Sequence, residues 1–134
     1  ILRGVDMFDC VIPTRSGRNG QAFVENGVIN LKNAKYRIDK RPIDDCCDCY
    51  CCLNYSRGYL RHLIRSNEIL ASMLLTWHNL HYYLNLMKKI RELIKNGEFT
   101  AFAHNFLARS LNKKNEVNWF WKYLTWISFF SHHI

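Results

Sequence analysis

The sequence has no apolar run long enough to cross a lipid bilayer. Its longest apolar region is the tail "VNWFWKYLTWISFF", which Lys122 interrupts and which is about four residues shorter than the roughly 18 that a spanning helix needs. A secretory signal is also absent, because "ILRGVDMFDC" carries charges where such a signal is apolar. We therefore expect no membrane partner, a cytoplasmic location and reduced thiols.

Acidic residues are scarce relative to basic ones. The chain has 134 residues, enough for one modest domain, with 19 Lys and Arg against 11 Asp and Glu and a net charge of +8. This excess favours a polyanionic partner, of which nucleic acid is the commonest. A basic protein without such a partner fits the charge equally well.

The first third of the chain predicts strands and loops. "GVDMFDCVIP" is typical of a buried strand ended by Pro13, and "TRSGRNG" of a polar loop. An Asn26-Gly27 turn between two alternating apolar runs predicts a hairpin. From Asn33 to Asp45 the sequence is polar and basic and leads into a cluster of cysteines.

The remainder predicts helices. Ser56 is placed to cap "RGYLRHLIR", and Ser66 or Asn67 to cap the longer run that starts at Glu68. Lys95-Asn96-Gly97 predicts the end of that run, and "FTAFAHNFLARSL" a further helix. Apolar residues at spacings of three and four predict a core-facing stripe on the long helix. They are Leu80, Tyr83, Leu84, Met87, Ile90 and Ile94.

"CCDCYCC" places five cysteines in seven residues, from 46 to 52. Such close neighbours make a poor disulfide framework, because a disulfide needs a particular Cα separation and side-chain direction. Zinc fits better, since thiolates and an imidazole surround it tetrahedrally, although five small buried thiols are the simpler alternative. All five compete as ligands. Cys49 and Cys52 form the most natural pair, Cys47 is a candidate third thiolate, and His78 a fourth donor.

Two further groups of residues have the chemistry of a binding or catalytic site. Arg15 and Arg18 stand beside glycines, and arginine forks suit phosphates and base edges, although a solvated loop is an equal reading. Asp6 and Asp9 are three apart, so on a strand they point to opposite faces and do not form an acid–base pair. Asp9 lies nearer to the basic loop and is the better candidate.

Four motifs in order give the chain a specific resemblance. "GVDMFDCVIPTRSGRNGQAF", "INLKNAKY", "CDCYCCLNYSRGYLRHL" and "MLLTWHNL" resemble the C-terminal third of a bacterial-type tRNA-guanine transglycosylase, from about Gly4 to Arg109. The resemblance implies an α/β fold, a TIM barrel with an inserted zinc subdomain, of which this chain is only the C-terminal part. By itself the chain is then mostly helical, with a short hairpin and a zinc knob.

The resemblance also assigns roles to residues. It implies that Asp9 is the catalytic nucleophile, that Arg15 and Arg18 hold the tRNA anticodon loop, and that Cys46 and Cys51 are extra thiols. It implies a structural zinc ion, Zn2+, held by Cys47, Cys49, Cys52 and His78. The implied reaction exchanges the wobble guanine of tRNA for a 7-deazaguanine base, on the path to queuosine, by double displacement. Its implied partners are tRNA, the deazaguanine base, the N-terminal barrel portion and a second copy in a homodimer.

The resemblance divides the chain into four parts. Residues 1–32 hold the last barrel strand, the basic loop and the hairpin, 33–78 the zinc subdomain, and 79–109 the C-terminal helices of the barrel. Residues 110–134 form an aromatic-rich tail outside the family pattern. Because the base-recognition residues lie upstream, we expect the isolated chain to be inactive. Two alternatives are a non-catalytic zinc-containing tRNA-binding module and a decayed gene remnant.

Overall fold

The computed structural model describes residues 1–2, 4–5 and 7–111, and within them it is mostly helical with one short hairpin, as expected. The predicted tail lies outside the described residues, apart from its first two positions. The elements in chain order are α1 (Ile12–Arg18), β1 (Gln21–Val24), β2 (Gly27–Asn30), a 3-10 turn (Ala34–Tyr36), α2 (Tyr50–Asn54), α3 (Arg57–Arg65), α4 (Ile69–Lys95) and α5 (Phe99–Leu111). Over this part of the chain, no helix is both long and apolar enough to cross a membrane.

The hairpin is confirmed. Strands β1 and β2 pair antiparallel, with Phe23 opposite Val28 and Val24 opposite Gly27. The loop residues are Glu25 and Asn26, one position earlier than predicted, and Gly27 opens β2 with φ +122°. Glycine suits this position because it adopts positive φ without a Cβ clash.

The predicted buried strand over "GVDMFDCVIP" is wrong. Residues 7–11 are irregular and exposed, and α1 begins at Ile12. The described residues contain no sheet besides the hairpin, so no neighbouring strand takes up the backbone hydrogen bonds that a further strand needs. Pro13 lies in the first turn of α1, where a missing N–H costs nothing.

The predicted polar loop "TRSGRNG" is also mostly helix. Ser16 and Gly17 are buried in α1, which packs against α4. The missing side chain of Gly17 is what lets the two backbones approach, since a Cβ there would lie 2.7 Å from the Thr76 backbone nitrogen. Composition predicted a loop because it cannot reveal this close approach.

Two of the three predicted helix ends are confirmed. Ser56 caps α3 and accepts a hydrogen bond from the Tyr59 N–H, as predicted. The end of α4 is also confirmed, with Gly97 at φ +74°. The predicted cap of α4 is wrong, because Glu68 and neither Ser66 nor Asn67 precedes its first turn. Asn67 instead takes φ +54° in the turn that separates α3 from α4.

The predicted core stripe of α4 is wrong in large part. Ile90 is buried, but Leu80, Leu84 and Ile94 are 42%, 69% and 50% exposed. The buried face lies mainly in the first half of the helix, at Ala71, Leu74, Leu75, His78 and Asn79. Helix periodicity identifies an apolar face, whereas burial also requires a neighbour. Residues 76–79 hydrogen-bond to α1 and the hairpin. The rings of Tyr82 and Tyr83 pack against Phe23 in the hairpin.

A largely buried ion pair attaches the segment before the cysteines to α3. Asp39 accepts hydrogen bonds from the Arg41 side chain and, at 3.3 Å, from Arg57, which also donates to the Ile43 carbonyl. The hydrogen bonds from Arg41 hold the pKa of Asp39 well below its usual range. Gly58 adds a backbone bond of 2.8 Å to the Asp39 carbonyl. This polar segment is thereby ordered although it contains almost no regular structure.

Gly17→Ala tests the contact between α1 and α4. We expect a loss of about 1–3 kcal/mol in the free energy of unfolding, because the new Cβ meets backbone atoms of Thr76 that cannot rotate away. In a helix interior with free space, the same change raises the free energy of unfolding by about 0.5–1 kcal/mol. The sign of the change therefore tests the contact. Urea denaturation measures it, with exposed Asn19→Ala as the control. Unchanged or increased stability would contradict the contact.

A candidate metal centre

Asp44 shapes the turn that carries the cysteines. Its carboxylate accepts hydrogen bonds from the Cys46 N–H at 3.1 Å and the Glu25 N–H at 3.0 Å, and its carbonyl accepts from the Cys47 N–H. One side chain therefore folds the cysteine turn and attaches it to the hairpin loop.

Helix α2 brings two of the sulfurs together. Cys49 occupies its N-cap position, where the sulfur accepts a hydrogen bond from the Cys52 N–H at 3.4 Å. A Cys-x-x-Cys pair at a helix start places both sulfurs beside free backbone N–H groups, and these favour thiolates. The short helix thus positions two ligands with one turn of backbone.

His78 completes a cluster of four donors. It is fully buried on α4, and its Nδ1 lies 3.7, 3.4 and 3.3 Å from the sulfurs of Cys47, Cys49 and Cys52. All four ligand atoms lie within 4.8 Å of one another. Sulfur and nitrogen ligands of a tetrahedral zinc ion are about 3.5 Å apart, given bond lengths of about 2.3 and 2.0–2.1 Å. The spacing fits an ion of that size and coordination number.

The other ring nitrogen of His78 sets its tautomer. Nε2 lies 2.7 Å from the Phe23 carbonyl oxygen, which can only accept, so Nε2 carries the proton. The lone pair of Nδ1 is then directed at the three sulfurs. A backbone carbonyl on the non-ligating nitrogen is the usual orienting contact of a metal-bound histidine.

Asn79 is the site residue that sequence reasoning missed. It is fully buried, and its amide donates to the carbonyls of Pro13 and Gln21 and accepts from the Phe23 N–H. The available signal was an asparagine next to the candidate ligand in the middle of an apolar helix. Asn79 positions α1 and β1 against α4, and therefore the carbonyl that orients His78.

Hydrogen bonding shifts the pKa values of the cluster's sulfurs in opposite directions. The hydrogen bond from the Cys52 thiol lowers the pKa of Cys49, and the same bond raises the pKa of Cys52. Burial raises the pKa of Cys47 to about 11. Three neighbouring thiols cannot all ionise without a cation, and a divalent ion removes that restriction.

The remaining cysteines stand apart from the cluster. All six cysteines are free, Cys10 and Cys46 are exposed, and Cys51 is buried in the core, where burial raises its pKa to about 12. Of the five cysteines that compete in the sequence, the structure therefore brings Cys47, Cys49 and Cys52 together with His78. These four residues could hold a metal ion.

The candidate tRNA-binding residues lie in α1, and the candidate catalytic residue lies before it. Asp9 is exposed in the irregular segment before the helix. Arg15 and Arg18 are exposed three residues apart on α1, hence on one side of it, and among the described residues neither forms an ion pair. Both arginines lie in helix α1, where the sequence predicted a loop.

Cys49→Ser and Cys46→Ser form a matched test of the cluster. We expect Cys49→Ser to weaken zinc binding at least about a hundredfold and to destabilise the fold, because a buried ligand is lost. Cys46→Ser should change neither, since its sulfur is exposed and outside the cluster. Zinc titration against a chromogenic chelator, with urea denaturation, measures both. Equal metal loss in the two variants would contradict this ligand set.

Comparison with known proteins confirms the family resemblance. A family model described as queuine tRNA-ribosyltransferase matches residues 1–112. The chain is 56% identical over 109 residues to the queuine tRNA-ribosyltransferase of Dinoroseobacter shibae, covering 81% of this chain and 29% of that protein. It is 57% identical over 104 residues to that of Rickettsia prowazekii, covering 78% and 29%. The chain thus spans under a third of these curated relatives, and it belongs to the queuine tRNA-ribosyltransferase family.

Proposed function

We propose that this chain is the C-terminal part of a tRNA-guanine transglycosylase. The whole enzyme exchanges the wobble guanine of tRNA for a 7-deazaguanine base in the queuosine pathway, in the cytoplasm. The observation that carries the proposal is the match of residues 1–112 to a family named for ribosyl transfer on tRNA. The buried cluster of three cysteines and one histidine supports it, because the resemblance implies a structural zinc ion at those four positions.

The rest of the enzyme completes a TIM barrel around this part. Exposed apolar residues support this. Within the described part of the chain, Leu84 on α4 and Phe8 and Val11 before α1 are each more than half exposed. In the proposed division, residues 1–32 and 79–109 belong to the barrel and 33–78 to the zinc subdomain, with 110–134 outside the family pattern. A second copy of the enzyme completes a homodimer.

The proposed metal is a structural zinc ion. The four protein donors would fill all its positions, so it would hold the cysteine turn against α4 and leave none for a reacting water. The chemistry of transfer therefore belongs to other residues of the chain.

Asp9 is the proposed nucleophile. Its carboxylate forms a bond to the ribose anomeric carbon while the bond from that carbon to guanine breaks, and the departing base takes a proton from an acid in the upstream part. The incoming deazaguanine then gives the proton of its attacking nitrogen back to that upstream group and displaces the Asp9 carboxylate from the opposite face, which retains the configuration, as in retaining glycosidases. The nucleotide must leave the base stack to reach Asp9, and Arg15 and Arg18 bind the anticodon-loop phosphates beside it.

Base exchange tests the catalytic proposal. We expect the isolated chain to incorporate no labelled guanine into tRNA, and a mixture with a separately produced N-terminal portion of a relative to do so. In that mixture Asp9→Asn should lower exchange at least about a thousandfold, because the amide is a poor nucleophile. Asp45→Asn, another exposed carboxylate, is the control. Exchange by the chain alone would contradict the expected inactivity of the isolated chain. Undiminished exchange by the mixture with Asp9→Asn would contradict the assignment of Asp9 as the nucleophile.

A non-catalytic tRNA-binding module is the second candidate function. It is favoured by Arg15 and Arg18, which are exposed on one side of α1 without acidic partners among the described residues. We expect Arg15→Ala and Arg18→Ala each to weaken binding of an anticodon stem-loop by up to about tenfold and to reduce its salt dependence by about one released ion. Arg65→Ala, at the end of α3, is the control. Equal losses in all three variants would indicate unspecific charge attraction only.

A further inference from the structure

A second group of metal-binding side chains adjoins the cysteine cluster. Asp48 lies between two of the cysteine ligands in sequence, and His81 follows His78 by three residues, on the same side of α4. The sulfur of Cys47, a carboxylate oxygen of Asp48 and a ring nitrogen of His81 all lie within 4.8 Å of one another. Cys47 thus belongs to both groups.

One ring nitrogen of His81 has two polar neighbours. Its Nε2 lies 2.8 Å from Oδ1 of Asp48 and 2.9 Å from Nδ2 of Asn85. That nitrogen can donate a proton to the carboxylate or accept one from the amide, but not both. With the amide rotated to present its oxygen, two oxygens flank the imidazole nitrogen at hydrogen-bonding distance. A cation bound to that nitrogen would have both oxygens within reach.

The charge balance also favours a second cation. Three thiolates and one divalent ion leave the buried centre with a net charge of −1, and the Asp48 carboxylate makes it −2. A second divalent ion brings the pair of sites to neutrality. Cys47 is the one half-buried sulfur of the three, so it alone faces the neighbouring group as well as the buried ion.

We propose a second divalent transition-metal site, formed by Asp48, His81 and Asn85 with the Cys47 sulfur as a bridge between two ions. The proposal rests on the metal centre described above, because Cys47 serves both sites. Mixed sulfur, nitrogen and oxygen donors suit zinc better than magnesium or calcium. The side chains of Asp48 and His81 are 85% and 29% exposed, so this ion exchanges with solvent and binds more weakly than the buried one.

Metal stoichiometry of the full chain tests the second site, with zinc chloride as the probe. We expect two zinc ions per chain at saturating zinc and one after dialysis against a weak chelator. His81→Ala and Asp48→Asn should each weaken the second equivalent at least about tenfold and leave the first in place. His62→Ala, an exposed histidine on α3, should retain both. The retained first equivalent shows that each variant is folded.

Cobalt titration adds a readout that reports the bridge. In the parent chain, the second equivalent of Co2+ should change the thiolate-to-metal absorption, because the second ion binds a sulfur that the first ion already binds. In His81→Ala, the second equivalent should leave this absorption unchanged. A parent that saturates at one ion overturns the second site alone. A second equivalent that persists in His81→Ala, held by Cys10 or Cys46, also overturns it. A parent chain that binds no metal ion would overturn the buried centre as well.

Discussion

The backbone of Phe23 is held on its outer side by two consecutive side chains of α4. Asn79 accepts the Phe23 N–H and His78 donates to the Phe23 carbonyl, at 3.0 and 2.7 Å. These groups face away from β2, and buried without partners they would cost about 1–3 kcal/mol each. The contact fixes the hairpin on α4, and through the imidazole it directs Nδ1 at the sulfurs. Fold and metal centre therefore share one pair of hydrogen bonds.

The buried centre lies where the cysteine turn, α2, α4 and the hairpin meet. Helix α2 has five residues and the segment before it has almost no regular structure. Tyr36, Ile43 and Cys51 of this region are nevertheless buried in the core, and a metal ion with four protein ligands would add folding free energy to that burial. Asp44 and Asp39 complete the attachment, the first to the hairpin loop and the second to α3. This region is thus attached by polar contacts together with its share of the common core.

The exposed half of α4 is consistent with the length of the relatives. Leu80, Leu84 and Ile94 have the spacing of a buried face but are exposed among the described residues. The chain spans 29% of the length of the Dinoroseobacter shibae relative. An apolar stripe of this kind matches a surface that the remaining residues of a larger fold would cover.

Features that depend on a few neighbouring residues were determined by the sequence. The hairpin, the Ser56 cap and the Gly97 terminus each follow from contacts within nine positions along the chain. The cysteine spacing likewise made a disulfide framework unfavourable and favoured a metal, since ligand chemistry is a property of residue type.

Tertiary structure decided which residues have partners. It selected three of five thiols, set the tautomer of His78, and made α1 a helix where composition indicated a strand and a loop. It also left three of the six residues of the predicted stripe of α4 exposed. Those outcomes depend on distances between residues far apart in sequence, such as Gly17 against Thr76 or Phe23 against Asn79. Local propensity and periodicity contain no information about such distances, because they describe a segment without its neighbours.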